Sequence, residues 1–521
     1  MNLYDSYTTM SHNNWLRIIV SVVGITFFIT FLFTFHLESS NSIWTNRVQE
    51  KPFFGEQQSH ISTSPKKDYQ QKIQNGYHSS SPDRGDGASL ESKSDYRLLT
   101  SLRNNMGFYN KIDARQTGYQ IMNPTLLELP RGGNSSHDFL LIARTKHIAK
   151  NIHHKQYQLA RQVASFANLT YDSFGRPLLK TGKWSKLLVE DFGVPEHHCK
   201  GQPNIDKYIG PEDMKLFWTR TGEPLLIFTH QVNGKNMCQG QFLIDVRAAL
   251  VELEQVLGPE FASLLPPIRF ASPVGLRRDA PPGHENHPRY QREKNWAPGQ
   301  SPFGSVSELL LMAEPGQLFR WISNDEPVEL VLGAKDHRSA VEEPYPATAK
   351  PGETWHSRKS MTCVHDVMLH DEHVHQSTPM LTLTLCHRGS CEPDRQNTVM
   401  LGMIQRRQDP PAAPLTWYDR RIAVYESSPP YSMLSVSKKL TYRGETDSRY
   451  IWTGSMSYYT NHSEFPPPNH GFLDDEIWLG FGVNDAAAGW LDIRASELVA
   501  DHYLCQGAPA EYRYYRQNSL A

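Results

Sequence analysis

The chain has 521 residues, enough for two or three average domains or for one large one. Its composition is that of a globular protein, 39% hydrophobic and rich in aromatic residues, and 53 Lys and Arg stand against 55 Asp and Glu. That balance excludes the broad basic face with which nucleic-acid binders neutralise phosphates, and leaves room only for a locally basic pocket.

Residues 1–17 form a short tail ending in Trp15 and Arg17, an interfacial anchor and a positive charge. Residues 18–37 contain the run IIVSVVGITFFITFLFTF, uncharged from Ile18 to Phe35 and long enough for a helix to cross a ~30 Å bilayer core. It exceeds an ordinary signal core and no small-x-small cleavage site follows closely, so it is expected to remain as a transmembrane signal anchor. With so short a tail, the expected orientation is type II, in a Golgi-type secretory membrane, with the rest of the chain in the lumen.

Two features agree with a lumenal setting. All six cysteines (Cys199, Cys238, Cys363, Cys386, Cys391 and Cys505) lie after the span, and an even lumenal count fits disulfides. The glycosylation sequons at Asn134, Asn168 and Asn461 follow it too. Cys386 and Cys391 frame CHRGSC between two strand-like runs, which suggests a bridge across a hairpin.

Residues 38–95 are rich in Ser, Gln, Asn, Lys and Asp and show no sustained period, which predicts a disordered stem. The RGD at Arg84–Asp86 reads as incidental there. From residue 96 to 521 short apolar runs recur between Gly, Pro and Asn, among them DFLLIART, EPLLIFTH, PMLTLTLC and EIWLGFGV. Each has strand length. Helices are expected only over 150–167 and over 247–257, the second closed by Gly258. So many strands fill more than a single sandwich and predict an all-β lumenal domain of propeller type, whose axial funnel gathers polar loops.

The sharpest chemical segment is Gly210-Pro211-Glu212-Asp213-Met214-Lys215-Leu216-Phe217. Adjacent carboxylates at the start of a strand, with a base two positions on, can hold sugar hydroxyls and move a proton; a solvated turn is the plainer alternative. GPEDMKLFW resembles the Glu-Asp-Pro-Arg motif of the five-bladed β-propellers of glycoside hydrolase family 130, the β-mannoside phosphorylases, and of related fungal β-1,2-mannosyltransferases. Other pieces fall in the same order. Asn123-Pro124 with a strand ending in Arg144 is similar to that family's first blade. Glu293-Lys294-Asn295-Trp296 resembles its Lys-Asn-Trp segment, and Asp475 to Gly482 followed by Asp485 resembles its closing blade. The matches span roughly residues 120–490. Met214 and Lys215 depart from the family's Pro and Arg, exchanging a two-pronged guanidinium for an ammonium.

The resemblance implies Asp213 as the catalytic carboxylate and Glu212 as the residue that positions the sugar. Asn123, Arg144, Lys215, Lys294, Asn295 and Asp475 would line the funnel and bind substrate. It implies an inverting β-mannosyltransferase joining a glycan acceptor to a sugar-phosphate or nucleotide-sugar donor, without a cofactor and with no nucleic-acid partner. A hydrolase or phosphorylase on β-mannosides and a non-catalytic carbohydrate-binding propeller remain alternatives. The histidines between His365 and His375 offer metal ligands but no standard spacing. No Walker A, GxGxxG, GxSxG or CxxC motif is present, and HENH at 284–287 is hemmed by prolines.

Overall fold

The computed structural model describes residues 96–512 apart from 113, 115–117, 132–135, 153, 190–206, 235–236, 277–291, 322–328, 331–357, 369–373, 409–416, 447–449, 461–464, 466–468 and 511. The expected anchor and stem, the sequons at Asn134 and Asn461, the HENH segment and His370–His373 lie outside the described residues. No described helix is long and apolar enough to cross a membrane.

The described chain is mostly β, with few helices, and five sheets, antiparallel except where His470–Phe472 joins Leu381–Thr384, dominate it. Sheet I joins Ile121–Glu128, Phe139–Thr145, Gln162–Tyr171 and Pro177–Thr181. Sheet II joins Glu212–Trp218, Pro224–Gly234, Met237–Asp245 and Val274–Leu276. Sheet III joins Ala297–Gly299, Leu310–Glu314, Gln317–Arg320 and Glu329–Leu330. Sheet IV is built on Leu381–Thr384, Thr398–Gln408, Trp417–Glu426 and Met433–Ser437. Sheet V joins Ile451–Tyr459, Glu476–Val483 and Ala487–Arg494 to Asn110–Lys111, so an early strand completes a late sheet.

The apolar runs read as near-continuous because both faces of most strands are covered. The strand FLLIART is buried at every position. Five hydrophobic clusters do the covering, each between successive sheets. Leu140 and Ile142 of sheet I meet Met214 and Leu226 of sheet II. Leu225 and Leu243 of sheet II meet Leu311 and Phe319 of sheet III. Met312 and Leu318 of sheet III meet Met400 and Ile404 of sheet IV. Leu401 and Ile422 of sheet IV meet Ile477 and Phe481 of sheet V. The last cluster closes the cycle, packing Trp478 and Trp490 of sheet V with Phe139 and Leu141 of sheet I. Its indoles stack at 4.2 Å, and Phe139 lies 4.4 Å from Trp478. Each such aromatic buries 150–250 Å², so this closing seam alone is worth several kcal/mol, as an upper bound at ~25 cal/mol per Å².

Among the described residues two disulfides are formed. Cys386–Cys391 spans the hairpin between Leu381–Thr384 and Thr398–Gln408, as the spacing suggests. Cys363–Cys505 ties the helix Arg358–Met368 to the end of the edge strand His502–Leu504.

One helix expectation fails. Residues 150–167 form parts of three strands, Ile148–Ile152, Lys155–Leu159 and Gln162–Tyr171. Only the last enters sheet I, where VASFA packs between neighbouring layers; tertiary burial overrides a helix-like spacing there. The other helix region is present as Val246–Ala249 and Glu252–Ala262. Gly258, at φ 77°, kinks the second helix, which continues through Pro259 for another turn.

Candidate functional site

The first strands of sheets I and II repeat one device. Asn123 and Asp213 adopt left-handed backbone (φ 47° and 51°), and the pairing register slips between Met122 and Thr125 and between Glu212 and Lys215. Asn295 (φ 64°), two residues before the first strand of sheet III, shares the conformation. Asn and Asp tolerate this region better than other side chains with a Cβ, and a bulge re-aims the residues around it. Left-handed non-glycine residues cluster at functional sites, where surrounding structure holds the strain.

Each is held from outside. Gly210 N donates to Gln231 Oε1 at 3.0 Å and Gln162 Nε2 donates to Pro211 O at 2.7 Å, fixing the approach to Glu212. Gly210 itself has φ 101°, and a Cβ there would meet Ala160 O at 2.1 Å. Asn123 sits against sheet V, where a Cβ on Gly482 would fall 1.8 Å from its Oδ1. The glycine in the closing GFG run is therefore a steric requirement of the site. Arg292 to Trp296 are pinned to sheet II: Arg292 Nε donates to Gln239 Oε1 at 2.9 Å, Glu293 N to Gln239 O at 2.9 Å and Trp296 N to Gln241 Oε1 at 3.2 Å. Trp296 Nε1 also donates to Glu293 Oε2 at 3.0 Å.

These supports bring charged side chains from all five sheets into one cluster. Arg144, at the end of the second strand of sheet I, lies 3.2 Å from Glu212 and 3.7 Å from Asp485. His147 Nε2 is 3.2 Å from the same Glu212 oxygen. Asp485 sits in the tight hairpin of sheet V, where Asn484 and Asp485 are both left-handed. Lys294 and Arg292, before sheet III, interact with Glu212 and Asp213 and with Arg407 of sheet IV. Lys215 Nζ, fully buried, donates to Asp213 O at 3.4 Å. Among the described residues the cluster holds the cations Arg144, Lys215, Arg292, Lys294 and Arg407 against the carboxylates Glu212, Asp213 and Asp485.

The adjacent carboxylates are driven apart in proton affinity. Burial pushes Glu212 up, but its His147 hydrogen bond and the charges of Arg144, His147 and Lys294 outweigh it and hold the group below the usual carboxylate range. Asp213 goes the other way: burial and then the Glu212 charge raise it, and Arg144, Lys215 and Lys294 only partly offset them. Burial lowers the Lys215 ammonium to about 8 against the opposing pull of Asp213. Lys294 is lowered by burial and by Arg292. Such a split separates a fixed charge from a group able to exchange a proton. Among the described residues Asn123 Oδ1, Arg144 Nε and Asn295 Oδ1 are buried with no hydrogen-bond partner, as atoms of a site awaiting a ligand are.

Of the residues singled out in the sequence, Arg144, Glu212, Asp213, Lys215 and Lys294 come together electrostatically. Asn123, in the first strand of sheet I, and Asn295, two residues before sheet III, share the left-handed conformation of Asp213. Asp475 does not join them. It accepts from Phe472 N at 2.7 Å and from Arg388 at 2.6 Å, in a turn at the opposite end of the strand Glu476–Val483 from Asp485. A carboxylate already serving a backbone amide and a guanidinium is a structural brace.

His147, Arg292, Arg407 and Tyr450 escaped the sequence reading. Arg292 is two residues from Lys294 and His147 three from Arg144, which is a signal; Arg407 and Tyr450 join only through sheet packing. His365 and Asp366 are exposed on the helix Arg358–Met368, and no metal-binding group of His, Cys, Asp or Glu occurs among the described residues. Asn168 is described in a strand of sheet I, where its Oδ1 accepts from Asp138 N at 3.2 Å.

No family model and no curated protein matches the sequence. Among solved structures the chain is similar to a mannose phosphorylase from Leishmania mexicana in complex with phosphate ion, at 10% identity and a TM-score of 0.36, covering 80% of this chain and 94% of that one. It is also similar to the family 93 α-L-arabinofuranosidase of Fusarium graminearum in complex with arabinobiose, at 10% identity and a TM-score of 0.30, covering 75% and 98%. At such distances the reading of the site rests on its own geometry.

Proposed function

We propose that this chain is a carbohydrate-active enzyme, a membrane-anchored lumenal glycosyltransferase whose five cyclically packed sheets are the blades of a five-bladed β-propeller. The chemistry favoured is inverting β-mannosyl transfer from an α-linked sugar-phosphate or nucleotide-sugar donor to a glycan hydroxyl. The observation that carries this reading is the adjacent Glu212–Asp213 pair gathered with Arg144, 3.2 Å from Glu212, and with Lys215, Arg292, Lys294 and Arg407.

Asp213 is the proton-transfer group. As the acceptor hydroxyl attacks the anomeric carbon, its proton passes to Asp213, the new glycosidic bond forms and the bond to the phosphate oxygen breaks. The leaving phosphate carries away the electron pair of that bond. Lys294, Arg292 and Arg407 stabilise its charge, with Lys215 contributing while it is protonated. Glu212, kept ionised, orients sugar hydroxyls and offsets positive charge developing at the anomeric carbon. Asn123 and Asn295 offer amide groups to hydroxyls of the sugar.

Phosphorolysis of a β-mannoside is the second reading, because the same cations suit inorganic phosphate. Asp213, protonated at the start, would then give its proton to the departing sugar oxygen.

The test is to incubate the full chain, solubilised in detergent, with GDP-mannose and a mannan acceptor, following product mass, linkage and donor consumption, with Asp213→Asn as control. A β-linked extension lost in the variant supports transfer. Mannose 1-phosphate released from β-mannan by the same preparation with inorganic phosphate, without extension, replaces it with phosphorolysis. Neither product from a folded sample that binds mannan leaves the non-catalytic lectin.

A further inference from the structure

Beside the charged cluster stands an aromatic group in which Tyr418 and Tyr450 are half-buried and Trp452 is buried. The strand Trp417–Glu426 pairs Tyr418 with Arg407 in register, which places Tyr418 at the end of sheet IV that carries the cluster. Successive side chains alternate faces, so Tyr418 shares a face with Arg420. The buried guanidinium of Arg420 donates to Ile451 O at 3.2 Å, between Tyr450 and Trp452 of sheet V. Tyr418 accordingly meets both: its ring is 5.0 Å from Trp452, edge to face, and 6.3 Å from Tyr450.

Tyr450 links this aromatic group to the cluster. Its hydroxyl is hydrogen-bonded to Asp485, and it lies within electrostatic reach of Arg144. Its backbone is clamped to the hairpin: Tyr450 N donates to Asn484 Oδ1 at 2.8 Å and Asn484 N donates to Tyr450 O at 2.9 Å. The rings are therefore held in place before any ligand arrives.

We propose that Tyr418, Tyr450 and Trp452 form the acceptor subsite, a rigid aromatic platform between sheets IV and V that takes an uncharged sugar ring of the glycan. This rests on the transferase reading of the cluster and adds where the second substrate lies. An anionic donor is drawn to the cations. A neutral sugar has an apolar face of C–H bonds and a polar rim, which suits aromatic rings with wet polar tips. Half-buried Tyr418 supplies the ring surface, with the buried Trp452 packed against it as its backing, and the Tyr450–Asp485 pair accepts or donates at the rim.

The experiment measures mannan-oligosaccharide binding to the full chain by calorimetry, without donor, alongside acceptor and donor KM. Variants are Tyr418→Ala, Tyr418→Phe and Trp452→Phe. Tyr418→Ala is expected to weaken oligosaccharide binding and raise acceptor KM by about 5–10-fold, while donor KM moves less than twofold; Tyr418→Phe keeps the ring and stays near the parent. Trp452→Phe should give a smaller loss of the same kind. Oligosaccharide binding equal in parent and Tyr418→Ala overturns the subsite, whether or not the chain turns over. A raised donor KM with unchanged acceptor binding overturns it too. If the chain shows no transfer yet Tyr418→Ala still loses oligosaccharide, the subsite stands and the transferase reading falls.

Discussion

Two acidic pairs look alike in this sequence and behave differently in the fold. Glu212–Asp213 opens one strand and Asp474–Asp475 immediately precedes another, and each pair has a basic side chain nearby. Asp474 accepts Arg388 N at 2.8 Å, while Asp475 takes Phe472 N and the Arg388 guanidinium, so that pair is spent on its own turn. Glu212 and Asp213 share their surroundings with cations of several sheets, and neighbouring charge divides their proton affinities. Both pairs are adjacent carboxylates; what differs is whether the residues of one turn or side chains converging from several sheets answer the charge. The lesson is that a carboxylate consumed by a turn has no capacity left for a substrate.

Substitution sharpens the contrast. Asp213→Asn is expected to lower kcat by about 10²–10⁴-fold with little change in melting temperature, which steady-state kinetics and thermal unfolding together would establish. Asp475→Asn should do the reverse, leaving kcat near the parent and costing roughly 1–2 kcal/mol of stability from a partly exposed ion pair and one backbone bond. Equal kinetic damage from both would break the comparison.

Gly482→Ala probes the support of the site from sheet V. The added methyl has no room beside Asn123, so kcat is expected to drop by about 10²-fold if the site shifts by the order of an ångström. Near-normal kinetics would remove Asn123 from the working site.

The pH profile gives a middle-sized effect. Asp213 works as a base when ionised, so the rate falls as pH drops through its raised pKa. Glu212→Gln removes the neighbouring negative charge and should move that acidic limb to lower pH. On the alkaline side Lys215 loses its proton near pH 8, and the rate should decline there; Lys215→Arg should keep the limb up. An unmoved acidic limb in Glu212→Gln would uncouple the pair.

The smallest effect lies away from the site, at the buried Asp492 that accepts from Ser101 Oγ and from Arg103 N at 2.8 Å. Burial raises it to about 6, so its proton is held more tightly folded than unfolded. That contribution is full below the unfolded value and is lost as pH rises through about 6. Asp492→Asn should flatten the change in melting temperature between pH 4 and 7; an unchanged slope would assign it to other groups.

Much of the β architecture was legible beforehand. Strand-length apolar runs such as FLLIART and EIWLGFGV, bounded by turn residues, mark segments buried on both faces, and CHRGSC marks its own hairpin bridge. The stretch 150–167 departs from the expected helix because helical spacing of apolar residues also arises where short strands meet different layers. In the site, GPEDMK and KNW stood out because their residues are contiguous. Arg407 and Tyr450 did not, since they reach the cluster from sheets IV and V, and His147 shows only through its nearness to Arg144.

The sequence by itself determined the alternation of short buried strands and turns, and which segments carry carboxylates and cations near strand starts. Only the tertiary structure decided that sheet V closes on sheet I, that Gly482 makes room for Asn123, and that Asp213 rather than Asp475 stands among the cations. The physical reason is range. Strand and turn preferences act over a few neighbouring residues, whereas desolvation and Coulomb interaction depend on which distant residues packing brings within a few ångströms.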